Sequence, residues 1–266
     1  MVYITHLLVM EETPPKARLY VANDLSKGEI ITLDKDQSHY VIKVMRHKNG
    51  DKVALFNGKH GEWWATIDDD NKKAASLSII GQAREHEQEP DIWLCFAPVK
   101  YGKIDFLAQK ATELGVSKLL PVETKRTVVN RVKHERLVAN AIEAAEQSER
   151  LTVPKVESLQ TFSKLLGNWP QDRLLIVADE TGGGESPHDL LPLLHDSRLA
   201  LLIGPEGGFS PEEIKQLSML PNTKRMSLGP RILRADTAAL AALTCVQALC
   251  GDWREGVPNF RGGSDE

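Results

Sequence analysis

No run of apolar residues in the sequence approaches the roughly 20 needed to carry a helix across a bilayer, which excludes a membrane-spanning chain. Cysteine is scarce. Cys95, Cys245 and Cys250 are odd in number, lie in apolar surroundings and form no Cys-x-x-Cys pair, so neither a disulfide framework nor a zinc site is expected and a reducing cytoplasm fits best. Clusters at metal-ligand spacing are missing, so no metal is expected. The partly apolar stretch Met1 to Met10 lacks a basic start and a small-residue cleavage site, and Glu11 and Glu12 follow at once, which reads as an extension rather than a secretory signal. Neither Gly-Lys-Ser/Thr nor Gly-x-Gly-x-x-Gly occurs in a place that would make a phosphate loop or a dinucleotide fingerprint. An excess of positive charge is also lacking: the net charge is −4, which would repel nucleic acid if it were spread evenly. It is uneven. Between Lys118 and Arg136 lie six basic residues (Lys118, Lys125, Arg126, Arg131, Lys133, Arg136) against Glu123 and Glu135. Taken alone, such a segment also fits an ordinary solvated face.

With 266 residues the chain has room for two modest domains. From Leu19 to Ile80 the apolar period is mostly two, which predicts a small β-rich domain. Val53 to Phe56 and Glu62 to Ile67 flank Asn57-Gly58, a hairpin signal, and Trp63 and Trp64 should point to opposite faces of their strand. Tyr40, Val41, Val44 and Met45 recur at helical spacing, with Asp36 or Ser38 as a cap. The polar stretch Gln82 to Pro90 marks the domain boundary. Beyond Asp91, short apolar runs (Ile92–Ala97, Lys118–Val122, Leu174–Ala178, Leu199–Ile203, Arg225–Leu228) alternate with helical stretches, the pattern of an α/β fold with a parallel sheet covered on both faces. One such helix runs from Lys103 to Leu114, with Ile104, Leu107, Ala108, Ala111 and Leu114 on one stripe and Gly115 as its C′ residue. The expected divisions are an extension (1–17), a first domain (18–85), a second (90–255) and a tail (256–266).

Ligands of open α/β sheets bind beyond the carboxyl ends of the strands, so the loops there carry the functional signal. Ile203-Gly204-Pro205-Glu206-Gly207-Gly208-Phe209-Ser210-Pro211 combines three glycines with a helix start: Ser210 caps, Pro211 takes the first position and Glu213 completes a capping box. At Gly207 and Gly208 a side chain would fill ligand space or oppose a positive φ. Leu228-Gly229-Pro230-Arg231-Ile232-Leu233-Arg234-Ala235-Asp236 leads into Ala239 to Leu249, a helix apolar nearly all round, which predicts burial in a core and in a subunit interface together. Arg234 and Asp236 flank the helix start, where an ion pair or a cap would also account for them.

Together these two segments resemble the RsmE family of 16S ribosomal RNA (uracil-N3) methyltransferases, of the SPOUT class. Weaker matches at His39, Val44-Met45-Arg46, Phe56-Asn57-Gly58, Lys110 to Val116 and Glu146-Gln147-Ser148 extend the likeness over almost the whole chain. Where the family commonly reads Arg-Thr-Glu-Thr, this chain has Arg234-Ala235-Asp236-Thr237, and Glu149 stands where a glycine is usual. The resemblance implies a PUA-like N-terminal β-barrel for RNA and a SPOUT-type parallel-sheet domain ending in a trefoil knot. It implies S-adenosylmethionine as methyl donor, held by Asp179 and Glu180, by Ile203, Gly204, Pro205, Glu206, Gly207 and Gly208, and by Leu228, Gly229, Pro230, Ile232 and Leu233. A homodimer in the cytoplasm is implied too, acting on 16S rRNA or the 30S subunit at N3 of uridine 1498, the alternative being another RNA base or a ribose 2′-hydroxyl. Since a sulfonium methyl needs alignment rather than a metal, Arg234 is expected to favour the uracil anion, or to orient phosphate, and Asp236 to take the proton or hold Arg234. RNA contacts are expected from Arg18, Arg46, Arg126, Arg131 and Arg150.

Overall fold

A computed structural model describes residues 14–87, 89–99, 102–129, 131–181, 183–194 and 197–254. The tail 256–266 and the first thirteen residues of the extension lie outside the described residues. The chain divides into two units between His86 and Glu87.

The first unit contains β1 (Arg18–Tyr20), β2 (Ile30–Thr32), α1 (Lys35–His39), a π-helical turn (Tyr40–Val44), β3 (Lys52–Phe56), β4 (Glu62–Asp69) and β5 (Ser76–Arg84). Its sheet has the order β1-β3-β4-β5-β2, parallel between β1 and β3 and antiparallel elsewhere. The two-residue period expresses itself as one core: Leu19, Ile31, Val53, Leu55, Ala65, Ile67, Leu77 and Ile79 all point into it. The expected hairpin is β3–β4, but its loop is longer than the Asn-Gly signal suggests. Asn57 Oδ1 accepts from the N–H groups of Lys59 and His60 at 3.0 and 2.9 Å, an Asx turn that carries the chain on to Gly61. Gly61 (φ +74°) tolerates no side chain, because a Cβ would overlap the Arg84 carbonyl. The helix cap also differs from expectation. Asp34 caps α1 in a capping box with Gln37, while Ser38 is buried inside the helix, where its hydroxyl accepts from Ala75 N at 3.0 Å. Trp64 is buried and Trp63 half-buried with its indole N–H on the His60 carbonyl, so both are largely committed within the unit.

The second unit runs through β6 (Ile92–Phe96), α2 (Lys103–Glu113), β7 (Lys118–Glu123), α3 (His134–Gln147), β8 (Lys155–Val156), β9 (Gln160–Thr161) and α4 (Phe162–Gly167). It continues with β10 (Leu174–Ala178), α5 (Pro187–Leu190), β11 (Leu199–Ile203), α6 (Pro211–Met219), β12 (Thr223–Met226) and α7 (Ala235–Cys250). The sheet order is β12-β10-β11-β6-β7-β8, every pairing parallel, with β9 also on β7. Alternate residues serve opposite faces. In β10, Ile176 and Ala178 join Leu107, Ala108, Ala239 and Leu243 in one core, whereas Leu175 and Val177 join Phe162, Phe209 and Leu217 in the other. A strand buried on both sides reads as an unbroken apolar run, which is why these strands stand out in the sequence.

Two boundaries move. The last strand lies at Thr223–Met226 rather than Arg225–Leu228, because its register is set by β10, Leu175 opposite Thr223 and Ala178 opposite Met226. The last helix starts at Ala235, four residues before the expected Ala239. Within this chain it is buried on one side only: Ala239, Ala242, Leu243 and Val246 face the core, whereas Leu240, Cys245 and Leu249 are half-exposed. Its buried Gln247 donates to the Leu114 carbonyl at 2.7 Å and so closes the C-terminal end of α2 beside Gly115 (φ +82°).

At the amino ends of the strands, Arg173 (3% exposed) joins three segments. It donates to the carbonyls of Asp91 and Leu199 at 2.9 and 3.0 Å, pairs with the Asp91 carboxylate and lies 3.7 Å from the Trp93 ring centre. Burial works to raise the Asp91 pKa, but the bonds from Arg173, Ser117 and Trp93 outweigh it and hold the carboxyl below its ordinary value. A depressed folded pKa contributes stability that is present above pH 3.8 and lost as pH falls through the folded value. Arg173→Ala should therefore lower stability by about 3 kcal/mol, the loss of charge-assisted bonds at a buried site, and should flatten the acid limb of a denaturation profile measured from pH 7 to pH 2. An acid limb identical to that of the parent chain would remove the pair from the stability of the sheet.

Candidate active site

Because β12, β10 and β11 are neighbours and parallel, the loops that follow them open on one edge of the sheet. The loop after β10 begins with Asp179, 8% exposed, whose carboxylate accepts from Thr181 N and Oγ1 at 2.9 and 2.8 Å and meets the Arg225 guanidinium at 2.7 Å. Burial alone would raise its pKa; the Thr181 bonds and Arg225 prevail and hold it below the usual carboxylate value. Asp179 thus shapes the loop and ties it to β12, and its backbone N–H completes the tie on the Met226 carbonyl at 2.9 Å. Arg225, the partner, carries no sequence signal beyond being a cation in a strand. Glu180 is exposed. A small cavity lined by Val177, Asp179, Thr181, Phe209 and Arg225 opens beside this loop.

The loop after β11 leaves the buried Ile203 and divides its glycines by function. Gly204 packs under Phe209: a Cβ there would lie 2.9 Å from the ring. Gly208 has φ +68° and donates its N–H to Pro205 at 2.9 Å, a tight turn in which a Cβ would overlap Glu180 Oε1. Gly207 is different. Its φ is not in the left-handed region, and an added Cβ would make ordinary contacts with Arg126 at 3.5 Å. Of the two glycines, only Gly208 takes the positive φ. Pro205 is buried and Glu206 exposed. The capping box is as expected, but Glu213 does more than cap: Oε2 accepts from Ser210 N and Oε1 from Lys125 N, both at 2.8 Å.

After β12, Leu228 packs against the core, Gly229 (φ +96°) and Pro230 turn the chain in the open, Leu233 is half-exposed and Ile232 is 89% exposed. An isoleucine so uncovered, beside the glycine turn, is an apolar group left almost wholly to solvent. Arg234 is the N-cap of α7 and exposed, and no hydrogen bond or ion pair holds its guanidinium among the described residues. Asp236 does not hold it. Its carboxylate lies 3.3 Å from the ammonium of Lys103 on α2, a partner that sequence spacing had no means to find.

Of the five arginines expected to meet RNA, two are engaged within the fold. Arg18 donates to Glu62 at 2.6 Å and stacks 3.8 Å from the Phe56 ring. Arg150 is buried, donating to the carbonyls of Thr112 and Val116 at 2.6 and 3.0 Å and pairing with Glu89. Both engagements have one cause: a guanidinium with five donors in a planar fork satisfies a carboxylate together with a carbonyl or a ring face, and charge in a sequence does not say which way it points. Arg46, Arg126 and Arg131 are exposed. Among the described residues no group of three or more His, Cys, Asp or Glu is placed to hold a metal, and no helix is long and apolar enough to cross a membrane.

A parallel-sheet domain with its loops on one edge, joined to a small β domain, matches two family descriptions. Residues 86–247 match an RNA methyltransferase domain and residues 33–80 an RNA methyltransferase PUA domain, which makes the chain a two-domain RNA methyltransferase by class. It belongs, more narrowly, to the ribosomal RNA small subunit methyltransferase E family. A member from Rickettsia conorii is 36% identical over 234 residues, covering 87% of this chain and 95% of that one, and one from Bacillus subtilis is 28% identical over 84% and 91%. The solved structure of the Neisseria gonorrhoeae ribosomal RNA small subunit methyltransferase E, bound to S-adenosyl methionine, is 28% identical and superposes with a TM-score of 0.82 over 89% of this chain and 99% of that one.

The two adjacent glycines give a test of the loop that needs no ligand. Gly208→Ala should cost about 1–2 kcal/mol in a denaturant titration, since a left-handed residue must accept a Cβ, whereas Gly207→Ala should leave the midpoint within experimental error. Equal losses at both positions would contradict this division.

Proposed function

We propose that the chain methylates N3 of a uracil in the 16S RNA of the small ribosomal subunit, with S-adenosylmethionine as donor. The observation that carries this reading is the convergence, at the ends of the two parallel strands that flank β10, of a left-handed glycine turn, exposed backbone at Gly207 and Gly229, and the uncovered apolar side chain of Ile232. Backbone N–H and C=O groups beside apolar side chains suit a donor that is part nucleoside and part amino acid. In this reading the chain around these loops is threaded as a trefoil knot, and Ile203 to Gly208 and Leu228 to Leu233 line the donor from two sides.

When bound, the donor supplies a methyl group already activated by its sulfonium charge. The side chains then have three tasks: to hold the base in line, to favour the N3 anion and to remove the N3 proton. Arg234, exposed and held by no other group among the described residues, is the cation that favours the anion, whose charge spreads to the two flanking carbonyl oxygens. Asp236, oriented by Lys103 rather than bound to Arg234, is left with the proton. RNA is held by the exposed Arg46, Arg126 and Arg131, since a chain of net charge −4 must concentrate cations where the RNA lies. A homodimer covers the half-exposed Leu240, Cys245 and Leu249 of α7, and the enzyme works in the cytoplasm, where ribosomal subunits are assembled.

Arg234→Ala should fold and bind donor as the parent chain does, yet transfer methyl groups to 16S rRNA roughly a hundredfold more slowly, the usual cost of one donor aimed at a developing anion. Asp236→Asn should be slow at neutral pH and recover as rising pH deprotonates the base unaided. Methyl transfer at the parental rate by Arg234→Ala would refute its role, as would a pH-independent defect for that of Asp236.

A further inference from the structure

The basic segment and the glycine loop, far apart in sequence, meet in the structure. Strand β7 is separated from β11 by β6, so the segment after β7 must cross the end of β6 to reach the loop after β11. It is held there at three points. Lys125 N donates to the buried Glu213 at 2.8 Å, the Lys125 ammonium pairs with Glu212 at 3.2 Å, and Arg126 Nη1 donates to the Gly207 carbonyl at 2.6 Å. Thr124 and Thr127 brace the segment internally, with Thr127 Oγ1 accepting from Thr124 N at 2.9 Å. The carbons of Arg126 also lie beside Gly207, 3.5 Å from where a Cβ on that residue would sit.

We infer that Arg126 is a positioning residue that couples RNA binding to donor binding, an inference that rests on the proposed function. The Gly207 carbonyl belongs to the same peptide as the Gly208 N–H, which closes the left-handed turn on Pro205. Holding that carbonyl therefore sets the orientation of the whole turn. A guanidinium has five N–H donors in a fixed fork; one is engaged on Gly207, and no partner among the described residues takes the rest of this exposed side chain. Those donors suit a phosphate of the RNA backbone. A phosphate bound there immobilises the guanidinium that holds the turn, without breaking its bond to Gly207. RNA and donor then favour each other, by the same factor in both directions.

The test is calorimetric titration of S-adenosylmethionine into the full chain, with and without 16S rRNA, for the parent, Arg126→Ala and Arg126→Lys. The parent should bind donor more tightly with rRNA present. Arg126→Ala should weaken donor binding about tenfold without rRNA, the loss of one charge-assisted hydrogen bond, and should abolish the gain from rRNA. Arg126→Lys keeps the charge but not the fork, so it should retain rRNA binding while failing to restore the donor affinity. Parental donor affinity and parental gain in Arg126→Ala would overturn the coupling alone, as would a variant that loses rRNA affinity but responds to rRNA as the parent does. A parent chain that binds no donor would instead overturn the proposed function, and the coupling with it.

Discussion

A parallel sheet covered by helices on both faces has only the ends of its strands left for chemistry. That constraint organises the second unit. Both faces are spent on two apolar cores, and strands such as β11 are buried along their whole length. Adjacency then decides which loops cooperate: with β10 between β12 and β11, Asp179, Gly208 and Ile232 follow neighbouring strands although 52 residues of chain lie between the first and the last. The Asp179–Arg225 pair and the Met226 carbonyl fasten two of these loops at their roots, which leaves their outer parts to meet a ligand.

The charged residues divide by the same logic. Arg150 and Arg173 are buried and bridge carbonyls and carboxylates, so they hold segments together where the strands themselves do not. Arg225 does so at the rim of the site. Arg126, Arg131 and Arg234 stay exposed on the second unit, as their proposed roles toward RNA require.

One departure from the family pattern shows how local rules bend to packing. Glu149 follows the end of α3 with φ +59°, in the region that favours glycine, the residue usual there. The next residue is the buried Arg150, whose bonds to Thr112 and Val116 hold the chain in that conformation. Strain of about 1 kcal/mol at Glu149 is sustained by a network of charge-assisted bonds that is worth more.

The amino-acid sequence by itself determined the elements, since an apolar run buried on both faces or an alternation buried on one is a local pattern that local sterics read directly: β10 and β11 span the residues read from it, as does the capping box at Ser210 and Glu213. The glycine-rich and Leu-Gly-Pro segments were legible too, through composition and family likeness. Only the tertiary structure decided the partners. Lys103 for Asp236, Arg225 for Asp179, Arg126 for Gly207 and the burial of Arg18 and Arg150 each depend on segments brought together by strand order. Register had the same origin, for β12 starts where β10 pairs with it and not where its apolar pattern begins. Hydrophobic periodicity is a property of neighbours along the chain. Charge pairing between distant segments is a property of neighbours in space, and no spacing in the sequence encodes it.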